Sequence, residues 1–255
     1  MGRLYIFDLE GTTGIFNKGE REHINNTVIL RPGFRESLSY LNKDNIHTAI
    51  ATRAPRKYTD DIIGSFEQLN VGWQGEVYSK TDICFADHSL MPYKDLGPIY
   101  SEHGIDDPAG QVVIIGDFLR FGFGNFSKDM YRSFDFNRFP EFLSSNCALN
   151  DHPFPNGKDT PVYVVVPQPW STVDDDGYPC TLDMQYVVSR LEKMYEAGGN
   201  NFRRGFDVFE KSGMKNTKFV RSNHLARRLL GIDHEQAYLV MQGREEDWQS
   251  LELLR

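Results

Sequence analysis

Three short, mostly apolar segments each end at a residue that can take part in chemistry, and this feature constrains the fold more than any other. They are Leu4–Phe7 followed by Asp8, His47–Ala51 followed by Thr52, and Gln111–Ile115 followed by Gly116 and Asp117. Short runs of this composition predict strands covered on both faces, as in a parallel sheet. Because reactive residues gather at the carboxyl ends of parallel strands, the sequence predicts one reactive sheet edge.

Apolar residues at helical spacing separate these predicted strands. Helices are expected over residues 32–41, 58–69, 94–103 and 182–197, and a further strand over 162–166. This alternation of strand and helix favours an α/β protein with right-handed crossovers. Residues 71–93 mix β-forming residues with glycine and polar residues, which predicts a small β-hairpin insertion.

The length of 255 residues fits one or two domains. We expect a core over residues 1–204, with the insertion at 71–93, and a C-terminal extension of unknown role over 205–255. The net charge of −8 disfavours a general nucleic-acid surface. A locally basic segment at 211–228 keeps nucleic acid as a less favoured partner, the preferred interpretation being a charged helix face.

The lengths of the apolar runs and the spacing of the cysteines indicate the cellular localisation of the protein. No apolar run reaches the roughly 18 residues that a membrane span needs, so no membrane partner is expected. The three cysteines are scattered and form neither a disulfide framework nor a zinc spacing. We therefore expect a cytoplasmic protein with reduced thiols.

The residues at the predicted sheet edge carry the parts needed for phosphoryl transfer. Asp8 and Glu10 lie two residues apart before a glycine, so one carboxylate can attack phosphorus while the other transfers protons. Thr52 offers a hydroxyl and Lys94 a positive charge to the phosphoryl oxygens. Asp117, Asp8 and a backbone carbonyl offer hard oxygen ligands for Mg²⁺. The pattern predicts phosphoryl transfer through an aspartyl-phosphate.

These residues also resemble the motifs of a known group, the haloacid dehalogenase (HAD) superfamily. The segment Phe7–Thr12 resembles its first motif, normally Asp-x-Asp-x-Thr, and Thr52, Lys94 and Ile115–Asp117 resemble the second, third and fourth in the same order. The resemblance implies a Rossmann-like, three-layer core and Mg²⁺-dependent phosphatase activity. It implies catalytic roles for Asp8, Glu10, Thr52 and Lys94. The metal would be held by Asp8, the Glu10 carbonyl and Asp117.

Within this superfamily the chain resembles the RNA polymerase C-terminal-domain phosphatase branch, also called NLI-interacting-factor-like. The likeness lies in Leu30–Phe34, in Ala51–Tyr58 and in the stretch from Cys84 to Leu96, and it covers roughly residues 3–120. The short insertion at 71–93 suggests an open site without a large lid, which can admit a bulky phosphomonoester such as a phosphoprotein or a nucleic-acid end. A small phosphorylated substrate would need a partner chain or residues 118–157 to close the site.

Two departures from the superfamily pattern favour an alternative hypothesis. Glu10 stands where aspartate is usual, and its longer side chain moves the proton-transfer group by about one methylene. A misplacement of about 1 Å can cost roughly a hundredfold in rate. Apolar Phe118 and Leu119 follow Asp117, where a further acid or asparagine is usual. The alternative is a HAD-fold binding or scaffold protein with little or no turnover.

Several assignments keep an alternative of their own. Thr12, Thr52, Arg53 and Lys94 are the candidate phosphate or substrate contacts. Thr52 can instead cap the following helix. Arg53 can equally form a surface salt bridge, and Lys80 competes with Lys94 as the phosphate-binding lysine.

Overall fold

The computed structural model describes residues 2–17, 27–43, 45–85, 93–94, 96–116, 161–166, 182–213, 217–222 and 236–241. The strands are β1 (Arg3–Phe7), β2 (Gly14–Asn17), β3 (Thr27–Leu30), β4 (Ile46–Ala51), β5 (Glu76–Tyr78), β6 (Cys84–Phe85), β7 (Tyr93–Lys94), β8 (Val112–Gly116), β9 (Val162–Val165), β10 (Thr217–Ser222) and β11 (Gln236–Met241). The helices are α1 (Phe34–Leu41), α2 (Arg56–Gln68), α3 (Lys80–Ile83), α4 (Gly97–Glu102), α5 (Pro108–Gln111), α6 (Met184–Ala197) and α7 (Phe202–Ser212).

Seven of the described strands form one central sheet, in the order β10-β11-β9-β8-β1-β4-β5. Every neighbouring pair in it is parallel except β10 and β11 at one edge. The prediction of an α/β protein with a largely parallel sheet is therefore confirmed, and the topology is compatible with a Rossmann-like fold. Two short hairpins, β2–β3 and β6–β7, lie outside this sheet.

Helices cover the sheet on both faces because side chains alternate along each strand. Tyr5 and Phe7 of β1 belong to the core that packs under α1, α2, α6 and α7. Leu4 and Ile6 belong to a second core on the opposite face, together with apolar side chains of α3 and α4. These four side chains of β1 are fully buried. This burial on both faces explains the continuous apolar run in the sequence.

A buried carboxylate ties α6 to the amino-terminal end of the sheet. Glu192 is only 1% exposed and accepts hydrogen bonds from Arg3 at 3.0 and 2.5 Å. It also accepts from the hydroxyls of Tyr40, at 2.6 Å, and Tyr5. Burial and the negative charge of Glu192 raise the pKa of Tyr5 well above its ordinary value. Glu192 therefore joins α6, β1 and α1 at the end of β1 opposite to Asp8.

Three expectations about the chain organisation need correction. Residues 71–93 are not one hairpin insertion, because 76–78 form β5 of the central sheet, whereas β6 and β7 pair as a separate hairpin. Lys94 does not begin a helix: it lies on β7, and α4 starts three residues later. Strands β10 and β11, which fall in the expected extension over 205–255, are hydrogen-bonded into the central sheet.

Candidate active site at the carboxyl ends of the central strands

The strand register brings the first two candidate residues to the same edge of the sheet. Phe7, the last residue of β1, pairs with Ile50 of β4 and with Ile115 of β8. Asp8 therefore follows at the level where β4 and β8 also end, and its N–H donates to the Ile115 carbonyl at 2.8 Å. Thr52 follows directly on β4, whose backbone is about 4.8 Å from β1 in such a sheet.

The same edge contains the point where the chain changes direction across the sheet. From β1 the chain builds β4 and then β5 on one side, and it later adds β8 and β9 on the other. In open parallel sheets, ligands bind in the crevice outside the carboxyl ends of the strands at such a switch point. Asp8 lies at this point, because β1 is the strand from which both halves grow.

The loop after Asp8 is tightly folded back on itself. The Leu9 N–H donates to Asp8 Oδ1 at 3.0 Å, and Thr13 donates to the Leu9 carbonyl from its N–H at 3.1 Å and from its hydroxyl at 2.7 Å. Gly11 adopts a positive φ of 75°, which favours glycine at this position. Its N–H donates to the Gly14 carbonyl at 2.8 Å. This turn fixes the backbone around Asp8 and leads directly into the β2–β3 hairpin.

Thr12, one of the candidate phosphate contacts, lies inside this loop. It is fully buried, and within the described residues its hydroxyl makes no hydrogen bond. A buried polar group without a partner costs about 1–3 kcal/mol, so such a group is usually explained by a ligand, an ion or a water. The loop that carries Asp8 thus contains a hydroxyl that an additional oxygen would satisfy.

Glu10 is exposed, and its carboxylate accepts a hydrogen bond from a side chain of α2. The Tyr58 hydroxyl lies 3.3 Å from Glu10 Oε1 and 3.0 Å from the Phe16 carbonyl on β2, and its single proton serves both acceptors. Burial, and then the negative charge of Glu10, raise the pKa of Tyr58 to about 12. Tyr58 therefore stays a donor at neutral pH and links α2 to both the Glu10 carboxylate and the hairpin.

Thr52 is buried at the start of the bend between β4 and α2. Its hydroxyl accepts a hydrogen bond from the Ala54 N–H at 3.1 Å, which leaves its own proton to donate to a ligand oxygen. It does not cap α2, because the residue at the cap position is Pro55. Arg53 follows in the same bend and is partly buried.

The lysine and the fourth-motif aspartate can be placed only in part. The backbone of Lys94 pairs with Cys84 in the β6–β7 hairpin, which follows β5 and α3. Asp117 lies outside the described residues, one position beyond the end of β8. Lys80, the alternative to Lys94 as the phosphate-binding lysine, is exposed at the start of α3. The roles of Lys94 and Asp117 therefore remain predictions.

The donors described at this edge suit a hard cation. Asp8 offers a carboxylate and Glu10 a backbone carbonyl, and oxygen ligands are those that Mg²⁺ prefers. The part of the chain that the structure describes contains no group of three histidine, cysteine, aspartate or glutamate residues arranged to hold a metal. The unpaired buried hydroxyl of Thr12 in the same loop agrees with a ligand oxygen nearby.

The sequence did not reveal the role of Arg31, whose side chain forms hydrogen bonds with this loop. Its side chain is 1% exposed, and its guanidinium donates to three backbone carbonyls. The distances are 2.7 Å to Gly11, 2.5 Å to Thr12 and 3.1 Å to Leu182. The only sequence signal at this position is the Arg-Pro-Gly turn itself, since backbone carbonyls have no signature in a sequence.

Replacement of Tyr58 with phenylalanine tests the link between α2 and Glu10. Folding keeps the Tyr58 proton bound up to about pH 12, whereas an unfolded tyrosine loses it near pH 10. Its contribution to stability is complete below pH 10 and is lost as pH rises through 12. We expect the free energy of unfolding, measured by urea titration, to fall more between pH 9 and pH 11.5 in wild type than in Tyr58→Phe. Equal falls in both proteins would show that Tyr58 titrates as in the unfolded chain.

Comparison with known proteins adds no family assignment. No family model matches the chain, and no curated protein matches it significantly. Among the described helices, none combines the length and the apolar character needed to cross a membrane.

Proposed function

We propose that this protein is a HAD-like, Mg²⁺-dependent phosphatase that hydrolyses a phosphomonoester through an aspartyl-phosphate on Asp8. The observation that carries the proposal is the position of Asp8 directly after the central strand β1, at the switch point of the sheet. Thr52 follows the neighbouring strand β4 at the same edge. The motif order along the chain and this convergence support the same chemistry.

In the proposed reaction, Asp8 is the nucleophile and Glu10 moves the protons. A carboxylate oxygen of Asp8 attacks phosphorus in line, the bond to the leaving oxygen breaks, and that oxygen takes the Glu10 proton. Glu10 then accepts a proton from a water molecule that attacks the phosphorus of the aspartyl-phosphate. Inorganic phosphate leaves, and the carboxylate of Asp8 and the proton on Glu10 are both restored.

The remaining residues would hold the phosphoryl group. The Thr52 hydroxyl can donate to a phosphoryl oxygen, and Lys94 would neutralise part of the negative charge. Asp8, the Glu10 carbonyl and Asp117 would hold the Mg²⁺ ion, whose positive charge would offset the charge of the phosphoryl oxygens. Thr12 and Arg53, in the loops after β1 and β4, would provide further phosphate or substrate contacts.

The proposed substrate class follows from the expectation of an open site without a large lid. Within the described residues, the strands of β2–β3 have four residues each and those of β6–β7 have two. An open site would admit a phosphoprotein as well as a small phosphomonoester. We propose a cytoplasmic phosphorylated substrate of one of these two kinds.

Metal dependence gives the first test of this proposal. We expect purified protein to hydrolyse an aryl phosphate such as p-nitrophenyl phosphate in the presence of Mg²⁺. EDTA should lower the rate at least about tenfold, and excess Mg²⁺ should restore it. The release of nitrophenolate measures the rate directly. Hydrolysis that is insensitive to EDTA would contradict the proposed metal dependence.

One departure from the superfamily pattern supports the alternative of a protein that binds a phosphorylated partner without turnover. Glu10 is exposed, and its carboxylate lies next to the Tyr58 hydroxyl. Because glutamate is one methylene longer than the usual aspartate, its carboxylate lies at a different distance from the backbone. In that case no hydrolysis above background would be seen with Mg²⁺. Inorganic phosphate would still bind, and the melting temperature would rise with the logarithm of its concentration once that concentration exceeds the Kd.

A further inference from the structure

We infer that Arg31 is a positioning residue for the proposed phosphatase site, because it holds the loop that carries Asp8 and Glu10 in its working shape. The inference rests on the proposed function and concerns a residue that does not touch the reacting atoms. Its guanidinium donates to the Gly11 and Thr12 carbonyls, which follow directly after Glu10. The shape of the loop therefore depends on a side chain about twenty positions further along the chain.

Burial makes these hydrogen bonds costly to lose. Arg31 is 1% exposed, and Gly11 and Thr12 are buried as well. A carbonyl left buried without a donor costs about 1–3 kcal/mol, so the loop would move to satisfy both carbonyls elsewhere. Such a movement would shift the neighbouring Glu10 and Asp8 with it.

The backbone of the same turn anchors Arg31 firmly to its surroundings. The backbone N–H of Arg31 donates to the Thr13 carbonyl at 2.9 Å. Arg31 therefore contacts the loop through both its backbone and its side chain. The Met184 N–H donates to the Pro32 carbonyl at 2.9 Å, and Arg31 reaches the Leu182 carbonyl at 3.1 Å. The start of α6 is thereby joined to the loop after β1 through one side chain.

The fork geometry of the guanidinium explains why arginine is needed here. Three of its nitrogens donate in different directions within one plane, to carbonyls of three residues. A lysine keeps the charge, but its ammonium is a compact point at the end of a flexible stem. Lysine at this position would reach some of the carbonyls and leave the others unsatisfied.

Arg31→Lys compared with Glu192→Gln tests the inference. Glu192→Gln disturbs the buried network at the opposite end of β1, so it controls for a general loss of stability without touching the loop. Both variants are assayed with p-nitrophenyl phosphate and Mg²⁺ at a temperature where each is folded by circular dichroism. We expect kcat of Arg31→Lys to fall about 100-fold with KM changed less than about threefold, because a shift near 1 Å in the loop costs roughly that much. Glu192→Gln should keep kcat within about twofold of wild type.

Two results of the activity assay would overturn the inference. One is a kcat of Arg31→Lys within about twofold of wild type, and the other is an equal fall of kcat in both variants. Hydrogen exchange of the Gly11 and Thr13 amides provides a readout that does not need activity. Both amides donate inside the loop, at 2.8 and 3.1 Å, and should exchange faster in Arg31→Lys only.

The exchange measurement separates failure of this inference from failure of the proposed function. If wild type hydrolyses nothing, the proposed function is wrong, and faster exchange in Arg31→Lys alone still supports the role of Arg31 in shaping the loop. Unchanged exchange in Arg31→Lys would overturn that role, whether or not wild type is active.

Discussion

Asp8→Asn is expected to lower Mg²⁺-dependent hydrolysis of an aryl phosphate by roughly 10³-fold or more. The amide nitrogen and oxygen of asparagine are poor nucleophiles, so the aspartyl-phosphate would not form. The variant keeps the size of the side chain, and the Leu9 N–H can still donate to the amide oxygen. The rate of p-nitrophenol release, with folding checked by circular dichroism, measures the effect.

Glu67→Gln is the matched control for Asp8→Asn. It removes one carboxylate in the same way, but from an exposed position on α2. It should keep kcat and KM within about twofold of wild type. Equal hydrolysis by Asp8→Asn and wild type would mean that a contaminant or another site produces the activity.

Glu192→Ala is expected to lower the free energy of unfolding by about 3–5 kcal/mol. The change removes the acceptor shared by Arg3, Tyr5 and Tyr40 and leaves the guanidinium of Arg3 largely buried without its partner. Removing one member of a buried ion pair has a cost of this size. Urea denaturation at neutral pH, followed by circular dichroism, gives the free energy directly.

Glu196→Ala tests whether the effect comes from the buried network rather than from α6. Glu196 lies on the same helix, one turn further on, and is exposed. Its replacement should change the free energy of unfolding by no more than about 0.5 kcal/mol. A loss below about 1 kcal/mol for Glu192→Ala would show that the network contributes little to stability.

The sheet could be predicted from the sequence where a strand is buried on both faces. β1 and β8 carry continuous apolar runs and β4 ends in the apolar run Ala49–Ala51, and the strand ends near Asp8, Thr52 and Gly116 follow directly from those runs. α1 likewise begins after Pro32-Gly33 and repeats its apolar residues at helical spacing. These segments could be predicted because local pattern and tertiary burial agree.

Strands at the edges could not be placed in the same way. β5 has only three residues, and its side chains are exposed or half-buried, so it resembled part of an insertion. β10 pairs antiparallel at the other edge, and its two apolar residues, Phe219 and Val220, are adjacent between polar pairs. Their place in the central sheet depends on pairing with distant strands, which a short polar pattern does not specify.

The candidate site was predictable only for residues whose type carries a chemical role. Asp8 and Thr52 were found because they end apolar strands. The roles of Arg31 and Glu192 were not, because they depend on partners far away in the chain. A buried arginine bound to carbonyls, or a glutamate buried on a helix, looks like any surface charge in a sequence.

The central claim is that Asp8 at the end of β1 is the nucleophile of the site. The most direct test is a crystal structure of the protein soaked with Mg²⁺ and beryllium fluoride, which mimics a phosphoryl group bound to a carboxylate. We predict beryllium fluoride joined to a carboxylate oxygen of Asp8, with Thr52 donating to a fluoride. Beryllium fluoride joined to another residue, or an Asp8 carboxylate that stays unmodified at saturating concentration, would contradict the claim.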